Sequence, residues 1–198
     1  MNSIDLILAR EILLNALRED VGTGDITSRS IIPANARARG DYRAKEPVVV
    51  AGIPVIGEIV HLVDPDLEFK AIATDGNSAG EGAILAEILG SARSILAIER
   101  TSLNLLQRMC GIATLTRQFV EKIAGTRARI VDTRKTVPGL RVLDKYAVTC
   151  GGGMNHRMGL FDGVLIKNNH LAFHTSVAET VRHARRHLGH LVKVEVVE

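Results

Sequence analysis

The stretch from Ile130 to His170, IVDTRKTVPGLRVLDKYAVTCGGGMNHRMGLFDGVLIKNNH, constrains the fold more than any other part of the chain. Short apolar runs alternate in it with polar loops. Ala128-Arg129-Ile130-Val131 reads as a strand, and Asp132 to Thr136 falls where that strand should end. Pro138 and Gly139 then open a helix over Leu140 to Thr149, because proline's fixed φ suits a first helical turn, and Gly151-Gly152-Gly153 ends it. Gly163 to Ile166 is a second apolar run, with Lys167 at its exit. Strand, polar exit, helix, strand, polar exit is the rhythm of a parallel α/β sheet or barrel, in which chemistry gathers at the carboxyl ends of the strands.

These loops are cationic: Arg134, Lys135, Arg141, His156, Arg157, Lys167 and His170 share them with Asp132. One loop Arg or Lys is ordinarily a solvated surface charge. Three cationic exits in one segment point instead to an anion-binding pocket.

The preceding residues read as a smaller domain. Residues 3–18 place Ile4, Ile7, Leu8, Leu14 and Leu17 near one helical face, with Ser3 as N-cap. Glu19 to Thr27 reads as a loop, Arg37 to Ala51 as a strand broken by Pro47, and Ile53 to Val63 as a helix starting at Pro54. Leu67 to Thr74 and Ala83 to Gly90 are further strands around a Gly-rich loop. A long helix follows over Ala92 to Ala124, with Gly111 as a break. Thr175 to Leu188 forms the last helix and Leu191 to Val197 the last strand.

Composition narrows the function classes. At 46% hydrophobic and 24% charged, the 198 residues can bury the core of one or two domains. A net charge of +3 suits anionic partners, but 3% aromatics and no Trp leave no base-stacking platform, which argues against nucleic acid. No apolar run approaches the ~20 residues of a membrane span, and no signal-peptide layout is present. The expectation is a cytoplasmic protein without a membrane partner. Cys110 and Cys150 lack CxxC spacing and are expected to be free thiols. His183 and His187 share a helical face, but no carboxylate or Cys completes a zinc set, so a solvated basic face is expected and no metal ligand is assigned.

The segment TRKTVPGLRVLDKYAVTCGGGMNHRMGLFDGVLIKNNH resembles the signature region of the quinolinate phosphoribosyltransferases, also called nicotinate-nucleotide pyrophosphorylases (carboxylating). The likeness extends to EDVGTGDIT at residues 19–27, to ERTSLN at 99–104 and to VKVEV at 192–196. It implies an α/β chain: an N-terminal α+β sandwich domain over residues 1–108, including the start of the long helix, then the first part of an α/β barrel over 109–198. It also implies an enzyme joining quinolinate to phosphoribosyl pyrophosphate, with release of pyrophosphate and carbon dioxide, to give nicotinate mononucleotide for NAD synthesis.

By motif position, Arg134, His156 and Arg157 would hold quinolinate beside the Thr133 hydroxyl, with Arg100 reaching in from the partner subunit of a homodimer or higher oligomer. Forked, permanently charged Arg suits paired carboxylates, and Lys a point charge. Lys135 and Lys167 match lysines that serve the phosphate chemistry, and Glu195 a carboxylate bearing on the ribose and its Mg²⁺. Family members continue past this point, so an unclosed barrel and little turnover by these residues alone are expected. Where the family usually carries an acid directly after the lysine, this chain has Asn168. That departure leaves room for a same-fold relative acting on another anionic ring, such as the molybdenum-transport-associated branch. A third alternative is a truncated, non-catalytic chain that binds phosphate-rich ligands.

Overall fold

The computed structural model describes residues 4–197. Helix α1, Leu6–Val21, begins where the Asp5 carboxylate accepts from the backbone N–H groups of Ile7 and Leu8, satisfying donors that a helix start leaves unpaired. It buries Ala9, Leu13 and Leu17, one per turn. The expected cap at Ser3 lies outside the described residues. A second, short helix α2, Ile26–Ile31, stands where the sequence reading ended a loop; Asp25 caps it by accepting from Ser28 N–H at 3.0 Å.

The expected strand over Arg37 to Ala51 divides into β1, Arg37–Arg43, and β2, Val48–Val49. Pro47, which has no N–H to give a ladder, stands between them. Helix α3 runs over Ile53–Val63, the span read from sequence, with Pro54 in its first turn. Then come β3 (Glu68–Ala71), β4 (Ser78–Ala79), β5 (Ile84–Ser91) and helix α4 (Ala92–Lys122). Strand β5 is the middle of an antiparallel sheet in the order β1-β5-β3, with Arg37 opposite Ser91 and Glu68 opposite Leu89. Strand β4, inside what read as a Gly-rich loop, forms a separate antiparallel pair with β2.

Helix α4 is continuous for 31 residues, so Gly111 does not break it. A glycine inside a helix costs about 1 kcal/mol relative to alanine. The buried stripe of Ile98, Ser102, Leu105, Met109, Ala113 and Thr116 carries the helix past it, because tertiary packing outweighs local propensity. Helices α1 and α3 pack on α4, and the core joins Leu13, Val55, Ile56, Ile59, Ile98 and Met109.

Beyond α4 the parallel pattern appears in reduced form. Residues 128–131 do not make a strand; Val131 forms one parallel bridge with Met154, closed by Asp132 N–H to the Met154 carbonyl at 3.0 Å and Met154 N–H to the Ile130 carbonyl at 2.9 Å. Helix α5, Arg141–Cys150, joins the two bridge partners, and Gly139 before it takes φ 84°, which only glycine adopts cheaply. The glycines after α5 are a close approach: a Cβ on Gly151 would lie 2.5 Å from the Ala113 carbonyl, and one on Gly153 would lie 2.7 Å from Val148.

Residues then give β6 (Val164–Ile166), α6 (Asn168–Leu171), α7 (Val177–His187) and β7 (Val194–Val196). Strands β6 and β7 pair in parallel through the helical crossover such pairing requires. Among the described residues no closed barrel forms. The chain separates into two compact units, Met1–Asn155 and His156–Glu198, and each is described by itself below. Residues 108 and 109, the domain boundary read from sequence, both lie inside α4.

Candidate active site

In the first unit, Thr133, Arg134 and Lys135 are exposed on the loop that leaves the Val131 bridge. The Thr133 hydroxyl oxygen accepts from Lys135 N–H at 3.0 Å, which turns the loop on itself. A pocket of about 480 Å³ opens here, lined by Thr133, Lys135, Asp132, Lys145, Arg108 and Asp144 among others. Arg134 is not part of that lining.

One buried ion pair and one half-buried pair underlie this loop. Lys145 of α5, 1% exposed, donates to Asp132, whose side chain is 6% exposed. Arg108 of α4 donates to both Asp144 oxygens, Nε at 2.7 Å and Nη2 at 2.8 Å, the forked geometry that carboxylates favour. Donating to Asp144 holds the Arg108 proton more tightly and raises its already high pKa. Sequence reasoning passed over Arg108, Asp144 and Lys145. The available signal was that Asp144 follows the apolar Leu143 by about 100° around the helix, within reach of the stripe Leu143, Ala147, Cys150.

Arg100 stands exposed on α4. Its neighbours in the ERTSLN motif are structural: Thr101 donates to Asp20 at 3.2 Å, and Ser102 donates to the Glu99 carbonyl at 2.9 Å. With its own proton so placed, the Ser102 hydroxyl accepts from the buried Tyr42 hydroxyl at 2.9 Å. Burial pushes the Tyr42 phenol up. The EDVGTGDIT motif is likewise explained by the Asp20 contact and the Asp25 cap.

A further buried carboxylate, Asp75, accepts from Gly52 and Ile53 N–H at 2.8 and 3.0 Å, at the start of α3, and from the Tyr146 hydroxyl at 2.8 Å. Burial, then the Asp75 contact, raises the Tyr146 pKa strongly. Cys150 beside it is pushed up to about 11, chiefly by burial. Both cysteines are free and buried, as their spacing implied.

In the second unit, His156 Nε2 meets Glu195 Oε2 at 3.0 Å, so β7 presents the carboxylate to the imidazole. The resemblance gave these two residues separate duties, and their contact was not foreseen. Arg157 Nη1 donates to the Gly163 carbonyl at 2.9 Å across the turn before β6. Lys167 is exposed at the exit of β6, and its backbone N–H donates to His170 Nδ1 at 2.9 Å. That bond leaves the other ring nitrogen, Nε2, to carry the proton. Asn168 opens α6, where an acid would meet the favourable end of the helix dipole and the amide does not.

His183 and His187 do share a face, with ring centroids 4.7 Å apart, and His174 lies 5.4 Å from His183. Among the described residues no group of three or more His, Cys, Asp or Glu side chains is placed to hold a metal ion.

The helices, the strands and the parallel pair with its helical crossover define an α/β chain. The model of the quinolinate phosphoribosyl transferase N-terminal domain matches residues 25–110, and that of the C-terminal domain matches 112–198. The chain belongs to the quinolinate phosphoribosyltransferase family. It is 42% identical over 196 residues to a probable nicotinate-nucleotide pyrophosphorylase [carboxylating] of Bacillus subtilis, covering 99% of this chain and 66% of that protein. It is 42% identical over 180 residues to a mitochondrial quinolinate phosphoribosyltransferase [decarboxylating] of Nicotiana glauca, covering 90% of this chain and 51% of that one. The crystal structure of NadC from Streptococcus pyogenes superposes with a TM-score of 0.94 at 38% identity, over all of this chain and 70% of that one. The chain thus spans about half to two thirds of the length of these curated relatives. No helix among the described residues is long and apolar enough to cross a membrane.

Proposed function

We propose that this chain carries the quinolinate-binding part of a quinolinate phosphoribosyltransferase, acting in NAD synthesis. The observation that supports the reading best is the pocket lined by Thr133 and Lys135, in a chain that belongs to this family. Arg134 in the first unit, and His156 and Arg157 in the second, are the cations assigned to the two ring carboxylates, and Thr133 offers a hydroxyl from the Arg134 loop. Arg100, exposed on α4, completes the site of the partner subunit in a homodimer or higher oligomer. The free thiols suit a reducing cytoplasm.

In the reaction, the pyridine nitrogen forms a bond to the anomeric carbon of phosphoribosyl pyrophosphate while the bond to the pyrophosphate oxygen breaks, its electron pair leaving with pyrophosphate. Loss of carbon dioxide then leaves an electron pair on the ring carbon, which takes a proton. Lys135 and Lys167 neutralise the phosphates. Glu195 faces the positive charge that develops on the ribose. Magnesium bound to the substrate's phosphates would supply further neutralisation of their charge, with Glu195 as the carboxylate of these residues that would bear on it.

The test is calorimetric titration of the protein with quinolinate, with and without Arg134→Ala. We expect saturable binding that the substitution weakens by about 1.5 to 3 kcal/mol, the range for losing a charge-assisted partner. No binding by the folded protein, or no effect of the substitution, would refute the assignment.

A further inference from the structure

Lys145 is the largest fully buried side chain among the described residues. A lone ammonium at that depth is prohibitively costly, so it needs a counterion. Asp144, its chain neighbour, is committed to Arg108 by two hydrogen bonds, and the counterion is Asp132. Yet stability alone does not call for charge here, since well-packed apolar residues of similar volume commonly serve as well as a buried pair. What distinguishes the pair is its place.

Asp132 is the residue immediately before Thr133-Arg134-Lys135. Its backbone N–H is fixed by the Met154 carbonyl at 3.0 Å. Its side chain is held on both oxygens: Lys145 takes Oδ1, and the Asn155 amide, turned so that its nitrogen faces its acceptors, donates to Oδ2 at 2.6 Å and to the Lys145 carbonyl at 2.9 Å. The next residues, Thr133 and Lys135, close a turn on each other and line the pocket. Main chain and side chain of Asp132 are therefore both pinned at the point where the exposed loop begins.

We propose that Lys145 is a positioning residue for ligand binding: through Asp132 it fixes the strand exit and so sets Thr133 and Lys135 at the mouth of their pocket. The proposal rests on the function proposed above and names a residue that acts on the ligand through another. A displacement of about 1 Å at such a loop can cost a hundredfold in rate, so an anchor of this kind has a functional value beyond folding.

The experiment compares the unaltered protein with Lys145→Met/Asp132→Asn, in which both charges are removed together, and with Lys145→Arg. Urea unfolding, quinolinate titration and amide hydrogen exchange are read on each. Removing both charges relieves the lone-charge penalty, so the double variant should keep most of the stability. A positioning role predicts quinolinate affinity down about tenfold or more in that variant, with amides of residues 133–135 exchanging about tenfold faster and those of α1 and α3 unchanged. Recovery of affinity and exchange along with stability would overturn it. Should the double variant fail to fold, Lys145→Arg decides: its longer fork displaces Asp132 while keeping the charge, so affinity should fall with stability intact, and unaltered affinity would overturn the proposal. If the unaltered protein binds no quinolinate, the proposed function fails, and exchange at residues 133–135 judges the positioning role by itself.

Discussion

Two side-chain pairs lie among or beside the residues that the sequence singles out for substrate, and they are built in opposite ways. Asp132 and Lys145 are sealed in the first unit under the Thr133–Lys135 loop, with neither side chain more than 6% exposed. His156 and Glu195, in the second unit, meet at 3.0 Å with the Glu195 side chain 55% exposed. Water screens the second pair and has little access to the first. A buried pair fixes geometry at the cost of desolvation, whereas an exposed pair leaves both members free to change partner when a ligand arrives. The first loop is thus a rigid platform, and the second a surface that a substrate can reorganise.

The largest expected effect tests this contrast directly. Lys145→Met alone strands the Asp132 charge and should destabilise the first unit by about 3 to 5 kcal/mol, the usual cost of breaking a buried pair from one side. Glu195→Gln should cost less than about 1 kcal/mol. Urea midpoints followed by circular dichroism measure both. Similar costs for the two substitutions would mean that Lys145 is hydrated in solution and the platform is not dry.

A second contrast lies in the apolar material. The first unit buries Leu13, Ile56, Ile59, Val60, Ile98 and Met109, whereas Ile166 is the one buried hydrophobic residue of the second unit among those described. Leu160, Phe161, Phe173 and Leu191 are all more than two thirds exposed there, at 73%, 84%, 85% and 84%. A two-stranded sheet with so little to bury is marginal by itself. Ile56→Ala should therefore cost about 2 to 5 kcal/mol of global stability, while Ile166→Ala affects only residues 156–197. Hydrogen exchange should show amides of β6 and β7 opening well before those of β5 and α4. Equal protection in the two units would show that the second is stabilised by more than its own core.

What could be read from sequence follows the same division. The helix over Ile53–Val63 was legible to the residue because Pro54 marks its start and its apolar stripe is unbroken. The parallel rhythm after Ala128 was legible as an order of elements but not in its extent, since strand propensity at 128–131 yields a single bridge when few ladder partners are present. Gly111 misled because local propensity is weaker than the packing of a 31-residue helix. The exposed cations of the site were visible as a run of charge. Their foundations were not: Lys145 and Asp144 were passed over, and nothing local in the sequence says that the Arg108 and Asp132 side chains face them from other elements.

The smallest effect compares one carboxylate cap from each unit. The Ser28 hydroxyl and N–H hold the Asp25 carboxyl below its ordinary 3.8, and the Thr175 hydroxyl and N–H hold Glu179 below its ordinary 4.5. A depressed pKa means the folded state favours the ionised form. Each carboxylate thus adds stability that is fully present above its unfolded value and is lost as pH falls through its lower folded value. Nothing should change between about pH 7 and pH 5, and both helix starts should loosen in acid below that. Glu179 is exposed and Asp25 is only partly buried, so salt and water keep the effect small. The two helices should nevertheless part company. Helix α2 is also held from outside, where Arg93 Nε donates to the Ile32 carbonyl at 2.9 Å, whereas α7 buries only Thr180. Carboxyl carbon shifts followed from pH 6 to pH 2, a range chosen to span about two units below the ordinary values, give both pKa values. Amide exchange in α2 and α7 over the same range should show α7 fraying first. A Glu179 that titrates at its ordinary value would mean that its bonds to Thr175 are not kept in solution, and that α7 starts without this cap.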